Sequence, residues 1–223
     1  MIPTQADIEN RKNAVDTATM LLDSGCVCFD DANPFRVGQG LSSPLHVDIR
    51  PLLGFPDRRN RLLDHALEMV EREVEGRLDA ISCCTDGPGV PVAAMLADRL
   101  GLPLVFVRRP AGEADPRKHK VEGRVKQGWR MLLVEQLATD GHRKAGLVQP
   151  LRDAGANVTD LMVVFQYGVF DAIHEHLSPL GVRLHALSTW WDLLEAAEDR
   201  DALPQEALSS IRRFLSDPTH WKA

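Results

Sequence analysis

The sequence predicts an α/β protein with a parallel sheet flanked by helices, and three observations predict it. Apolar runs fit for strands alternate with amphipathic stretches over residues 79–165, the pattern of strand–helix–strand units with right-handed crossovers. Gly101 and Gly155 stand just past two of the amphipathic stretches, where a helix stop favours a residue tolerant of positive φ. Finally, the apolar run ending Leu132-Leu133-Val134 leads at once into Glu135-Gln136, a short Thr139-Asp140-Gly141 loop and a helical stretch. A strand, a tight polar loop and a helix N-terminus together make the place where α/β proteins hold phosphates.

Taken in order, residues 11–23 read as a helix closed by Ser24-Gly25. Between Pro34 and Arg50, turn residues Gly38, Gly40, Ser42, Ser43 and Pro44 precede the alternation Leu45-His46-Val47-Asp48-Ile49. That suits a hairpin-like hood rather than a strand of a parallel sheet. Asp57–Val74 places Leu62, Leu63, Ala66, Leu67, Met69 and Val70 on one face of a long helix. Strands then follow at Asp79–Cys84, Leu102–Val107, Trp129–Val134 and Val158–Phe165, with helices Val90–Leu100 and Arg143–Ala154 between them. A further strand near Val182–Leu187 leads to a helix over 190–198, with Thr189 as N-cap and Asp192 three residues on. A last helix covers Gln205–Leu215. The expected organisation is one domain over 1–223, with the hood at 34–50, the core at 57–187 and C-terminal helices at 189–223. Its sheet has about five strands, with Cys83, Cys84, Leu132, Leu133 and Val163 buried in it.

An apolar fraction of 44% and a charged fraction of 26% are ordinary for a soluble globular protein. A net charge of −6 argues against a broad nucleic-acid footprint. No apolar run reaches the roughly 18 residues of a membrane span, and the N-terminus lacks the basic and apolar regions of a secretory signal. Cys26, Cys28, Cys83 and Cys84 do not have zinc-site spacing and no histidine cluster completes a set, so no protein-held metal is expected. A reduced, cytoplasmic compartment follows from that cysteine usage.

Two further loops carry chemistry. Thr85-Asp86-Gly87-Pro88-Gly89-Val90-Pro91 follows a strand and opens a helix, and its glycines permit close backbone approach. It lacks the third glycine of a dinucleotide fingerprint and the Gly-Lys-Ser/Thr of a Walker A loop, and an ordinary turn without a ligand also satisfies it. The segment from Arg108-Arg109 through Arg117-Lys118-His119-Lys120 to Val121-Glu122-Gly123 has cationic clusters around a Gly/Pro-bearing middle. A mobile cationic loop of this kind suits departure of a pyrophosphate, because it closes over the site and neutralises charge. A solvated charged loop is the plainer reading, but the segment directly precedes the Glu135 strand, which puts both at one end of the sheet and favours the functional one.

Together the segments resemble the orotate phosphoribosyltransferases, which are type I phosphoribosyltransferases, over most of residues 20–170. The hood shares that family's Phe-x-x-x-x-Gly-x-x-Ser-Pro at Phe35, Gly40, Ser43 and Pro44. The cationic loop shares its Arg-Arg start and its Val-Glu-Gly end. A bacterial branch reads Val-Glu-Asp-Leu-Thr-Thr-Asp-Gly-Gly, with Tyr-Gly-Ile-Phe and Thr-Trp-Trp-Asp in its tail. Here these are Val134 to His142, Tyr167 to Phe170 and Thr189 to Asp192. Gln136 replaces the family's second acid, His142 a small residue, and Glu113 stands near the place of an early loop lysine.

The resemblance implies a type I phosphoribosyltransferase fold and transfer of a phosphoribosyl group from phosphoribosyl diphosphate (PRPP) to orotate. Orotidine 5′-phosphate and pyrophosphate would be the products, as in pyrimidine biosynthesis. It implies catalytic roles for Glu135, Gln136, Lys118 and Lys120. PRPP contacts would come from Arg108, Arg109, Thr85, Asp86, Gly87, Thr139, Asp140, Gly141, His142 and Arg143. Base contacts would come from Thr139, Leu45 and His46. Magnesium would be bound mainly through PRPP. A homodimer is implied as well, with Arg109 or Lys118 reaching the other subunit's site. The departures keep a second reading open, a catalytically degenerate homologue that binds PRPP or a nucleotide as a sensor or partner. Transfer to a different base is a third.

Overall fold

The alternation of strand and helix folds into a six-stranded sheet covered on both faces, in a computed structural model that describes residues 4–37, 41–108, 120–169, 172–218 and 220–221. Helix α1 (Gln5–Asp23) starts six residues before the expected Arg11, because Thr4 and Asp7 form a capping box. Helix starts are set by such local hydrogen bonds, which apolar periodicity does not register. The hood consists of short strands β1 (Val27–Phe29), β2 (Phe35–Val37), β3 (Leu41–Ser43) and β4 (Leu45–Val47). β1 pairs antiparallel with β4 and β2 with β3, so the hood begins earlier than residue 34. After α2 (Arg50–Leu53) and α3 (Pro56–Glu73) come β5 (Ala80–Cys84), α4 (Val90–Leu100), β6 (Leu104–Val107) and β7 (Val121–Glu122). Then follow β8 (Arg130–Ala138), α5 (His142–Asp153), β9 (Asn157–Gln166), α6 (Ala172–Leu177), β10 (Arg183–Thr189), α7 (Trp190–Asp199) and α8 (Gln205–Ser216).

The sheet order is β10-β9-β8-β5-β6-β7. Five strands are parallel, as expected, and the two-residue β7 adds an antiparallel edge. From β5 the chain moves to β6 on one side, returns to β8 on the other, and continues to β9 and β10. Right-handed crossovers therefore put α4 on one face and α5 and α6 on the opposite face. Core membership agrees. Val92, Ala93 and Leu96 of α4 pack with Leu132 and Val134, while Leu147, Val148 and Leu151 of α5 pack with Met131 and Leu133. Alternate residues of β8 thus feed two cores, which is why its apolar run is continuous. Cys83, Cys84, Leu132, Leu133 and Val163 are all buried. The helices leaving β5 and β8 diverge, so a crevice opens between the carboxyl ends of these neighbours. Ligands of open α/β sheets bind at such a switch point.

The opposite end of the sheet holds a charge cluster. His185 lies between Glu73 and Asp160, each 2.9 Å from a ring nitrogen, and Asp160 also accepts hydrogen bonds from Arg130, Arg183 and Thr159. Burial works to lower the His185 pKa, but the two carboxylates outweigh it and hold the imidazole above its ordinary value. Burial works to raise Asp160, yet bonds from His185, Thr159 and Arg130 hold it below the usual carboxylate range. Glu73 is held low as well, chiefly by His185. The stability from His185 is fully present below the ordinary imidazole pKa of about 6.5 and is lost as pH rises through the raised folded value. The carboxylate contribution is present above their ordinary pKa of about 4 and is lost as pH falls. Urea midpoints are therefore expected to decline above about pH 6.5, and His185→Gln to flatten that decline. Parallel wild-type and variant curves would refute the assignment.

Candidate active site

The crevice is a cavity of about 330 Å3 walled by the hood, the ends of β5 and β8, and the start of α5. Its lining includes Arg36, His46, Asp48 and Arg50 from the hood side, Gly87 and Pro88 after β5, and Glu135, Gln136, Thr139, Asp140, Gly141, Arg143 and Lys144.

Strand β8 runs four residues beyond the expected end at Val134, pairing Leu137 with Phe165 and Ala138 with Gln166. Glu135 and Gln136 are therefore strand residues, and neighbours on a strand point to opposite faces. Glu135 Oε1 accepts the Cys84 N–H at 3.0 Å, and Oε2 is bound by the Lys144 ammonium. Gln136 turns to the hood, where its Nε2 donates to the Val47 carbonyl at 3.5 Å, a long bond. It is only 5% exposed, and its Oε1 has no hydrogen-bond partner. A buried polar atom without a partner is uncommon in a folded protein, and the side chain carrying this one also lines the cavity.

Glycines bring these parts together. A Cβ on Gly89 would lie 2.9 Å from both Gln136 N and Glu135 Cα, so the 85–91 loop needs glycine there to lie against β8. Gly141 has φ +79°, and its hydroxyl-bearing neighbour Thr139 and Asp140 lead directly into α5. Asp140 Oδ1 accepts the His142 N–H at 3.2 Å, while the first-turn amides of a helix lack intrahelical acceptors. The fully buried Tyr167 donates to the Leu45 carbonyl at 3.1 Å and stacks edge-on with Phe165 and Trp190. This ties the hood to the end of β9.

Several residues expected at the site stand elsewhere. Leu45 is fully buried in the core and only its backbone meets Tyr167 and Ser43, because inward strand positions of the hood fill the core. Thr85 donates to the Val107 carbonyl at 3.2 Å, and Asp86 takes a contact from Cys84 Sγ at 3.1 Å; neither is in the cavity wall. Arg108 is engaged by Glu122 at 2.7–2.8 Å, and its N–H donates to the Lys120 carbonyl. These contacts, with β6–β7 pairing, make a neck that closes the base of the cationic loop. Lys120 is exposed at that neck. His142 is exposed and meets His176 edge-on at 5.3 Å, so only its backbone belongs to the loop. Arg109 and Lys118 lie outside the described residues. Sequence reading missed Arg36, Asp48, Arg50, Lys144 and Tyr167. Lys144 had a legible signal, a cation in the first turn of the helix that opens at the phosphate loop.

Electrostatically, Arg50 holds the Asp48 carboxyl below its usual range. Burial pushes the Cys83 thiol up to about 12, which leaves it an inert core residue.

No protein-family model matches the chain. Individual proteins do. Over 209 residues it is 39% identical to a protein of Dinoroseobacter shibae named orotate phosphoribosyltransferase, covering 92% of this chain and 91% of that one. The crystal structure of orotate phosphoribosyltransferase from Aeropyrum pernix superposes with a TM-score of 0.70 at 32% identity, over 81% of this chain and 97% of the other. UMP synthase of Leishmania donovani gives a TM-score of 0.76 at 25% identity, over 91% of this chain and 42% of that protein. The architecture is the type I phosphoribosyltransferase fold, and the identity over nearly the whole length shows that the chain belongs to the orotate phosphoribosyltransferase family.

Proposed function

We propose that the chain transfers a phosphoribosyl group from PRPP to N1 of orotate, giving orotidine 5′-phosphate and pyrophosphate. The observation that carries this is a single cavity, at the sheet's switch point, that joins a helix-start phosphate loop, a strand-end carboxylate and a hood. In this reading the backbone of Thr139 to Arg143 and the Thr139 hydroxyl receive the 5′-phosphate. Glu135 and Gln136 receive the ribose hydroxyls, Gln136 offering hydrogen-bonding capacity without charge. Gly87 receives pyrophosphate with the 85–91 loop. The anionic base lies under the hood near His46 and Arg36. As the bond from C1′ to pyrophosphate breaks, its electron pair leaves with the diphosphate; N1 bonds to C1′ and gives up its proton, which the departing diphosphate takes. Positive charge develops on the ribose, where the Glu135 carboxylate stabilises it. Arg109, Lys118 and Lys120, on the cationic loop, offset charge on the departing group and exclude water.

Among the described residues no group of three His, Cys, Asp or Glu is placed to hold a cation. Magnesium fits this site as a passenger on the substrate's phosphate and hydroxyl oxygens, with Glu135 as a carboxylate near the ribose. When bound it would supply charge neutralisation for the diphosphate. The compartment proposed is the cytoplasm. A homodimer is proposed too, with Arg109 or Lys118 acting across it; exposed Ile8, Phe55 and Trp191 offer apolar surface for a second copy. Light scattering is expected to give twice the chain mass at micromolar concentration, and a monomer would remove the shared-site element.

Neutral Gln136 favours a second reading, in which PRPP binds and turnover is lost. A coupled assay with PRPP, magnesium and orotate or other bases, run beside calorimetry, separates the two. Product from orotate supports transfer; binding without product from any base supports the sensor reading; no PRPP binding refutes both. In the first case Gln136→Asp is expected to raise kcat roughly ten- to a hundredfold with little change in PRPP affinity, since the restored charge acts mainly in the transition state. An unchanged kcat would mean that Gln136 serves only to hold the hood at Val47.

A further inference from the structure

Lys144 enters the cavity from the first turn of α5 and binds Glu135 Oε2, while Glu135 Oε1 is held by the Cys84 N–H. The two side chains are 15% and 4% exposed, so solvent screens their pairing little. With Gln136 uncharged, Glu135 is the one carboxylate on β8 and Lys144 is its counter-ion; Asp140 and Arg143 of the adjoining loop add one further charge of each sign. Lys144 also shares the cavity wall with Thr139, Asp140, Gly141 and Arg143, the loop assigned to the 5′-phosphate. The cation thus stands between two anionic positions, one of them filled by Glu135 and the other supplied by substrate.

We propose that Lys144 is a transferable cation: its ammonium leaves Glu135 for the arriving 5′-phosphate and so frees the Glu135 carboxylate for the ribose. This rests on the PRPP-binding reading above. A phosphate carries a charge of roughly −1.5 to −2 on three strong acceptor oxygens. At equal distance and dielectric it attracts the ammonium about twice as strongly as a single carboxylate does. The flexible four-carbon stem of lysine lets the ammonium swing while α5 stays in place. Glu135 does not become a bare buried charge, because Cys84 N–H stays on Oε1 and ribose hydroxyls reach Oε2. If the pair stayed closed, the developing positive charge on the ribose would face a carboxylate already neutralised. A phosphate at one end of the substrate therefore switches on the carboxylate at the other.

Calorimetry with inorganic phosphate and with ribose 5-phosphate tests this on wild type, Lys144→Gln, Lys144→Arg and Glu135→Gln. Lys144→Gln keeps a donor for Glu135 and is expected to weaken both ligands about ten- to a hundredfold, the size of a charge-assisted hydrogen bond. Lys144→Arg should recover most of that loss. Glu135→Gln should tighten inorganic phosphate severalfold, because the ammonium no longer has to leave a carboxylate; ribose 5-phosphate gains less, since its hydroxyls lose a charged acceptor. A Lys144 that merely braces α5 against β8 predicts the reverse for Glu135→Gln, a looser site with weaker binding, and that result overturns the proposal. Phosphate affinity unchanged in Lys144→Gln overturns it too. If Lys144→Gln does not fold, the opposite signs expected of Glu135→Gln under the two accounts still decide. Failure of the wild type to bind PRPP or ribose 5-phosphate would instead refute the phosphoribosyl reading and the transfer with it.

Discussion

Glu135→Gln is expected to lower kcat by about two to three orders of magnitude, the usual loss when one preorganised electrostatic contact to a transition state is removed. The replacement keeps an acceptor for the Cys84 N–H, so the strand end should retain its geometry. What disappears is the negative charge, and with Gln136 already neutral no second acid stands beside it on β8. PRPP affinity should change by less than about tenfold, because a contact that strengthens in the transition state acts on kcat more than on ground-state binding. Single-turnover kinetics with PRPP and orotate give the chemical step directly. A wild-type rate in the variant would place the carboxylate outside the chemistry.

Gly141→Val is expected to abolish phosphate binding and to lower the melting temperature at the same time. The φ of +79° at this position disfavours any residue with a Cβ, and a β-branched one most. Holding such a backbone costs roughly 1–3 kcal/mol. A second collision adds to that: the new Cβ would lie 3.0 Å from Ile173 Cγ1 and 3.2 Å from its Cα, on α6. Read from the sequence, this glycine admits a phosphate to the backbone; in the fold it also admits α6 against the loop. Gly146→Ala on the same helix is the control, since it is exposed, and a Cβ there meets nothing within 4 Å. That variant should bind phosphate normally and gain about 0.5–1 kcal/mol of stability. Normal phosphate binding by Gly141→Val would show that the loop is not the phosphate site.

The parallel sheet was legible because buried strands and amphipathic helices differ in period and length, and the glycine stops punctuate them. Gly101 and Gly155 do adopt positive φ just past α4 and α5. Thr189 and Asp192 do form the capping box their spacing implies, the Asp192 carboxylate accepting the Thr189 N–H at 2.8 Å. The 139–141 loop was legible for the same reason, being a local chain feature of strand end, glycine and helix start. What the apolar pattern understated was β8, where two polar yet buried residues interrupt the apolar run before Leu137 and Ala138. Glu135 and Gln136 resemble loop residues in a hydropathy pattern, but the ladder to β9 carries the strand on to Ala138.

Local spacing thus sufficed for the elements and their order, since hydrogen bonds and side-chain periodicity within a few residues govern both. The partners of each charged group were beyond its reach. Glu135 meets Cys84 across 51 positions, Gln136 meets Val47 across 89, and Tyr167 meets Leu45 across 122. Such pairings follow from crossover handedness and from which face each strand residue presents, and nothing in nearest-neighbour chemistry specifies them. Arg108 shows the consequence: as sequence it is one of several cations near a phosphate site, but β7 folds Glu122 back onto it and makes it a clamp. Lys144, one residue beyond the recognised loop, becomes the counter-ion of the Glu135 carboxylate only because α5 packs back over the end of β8.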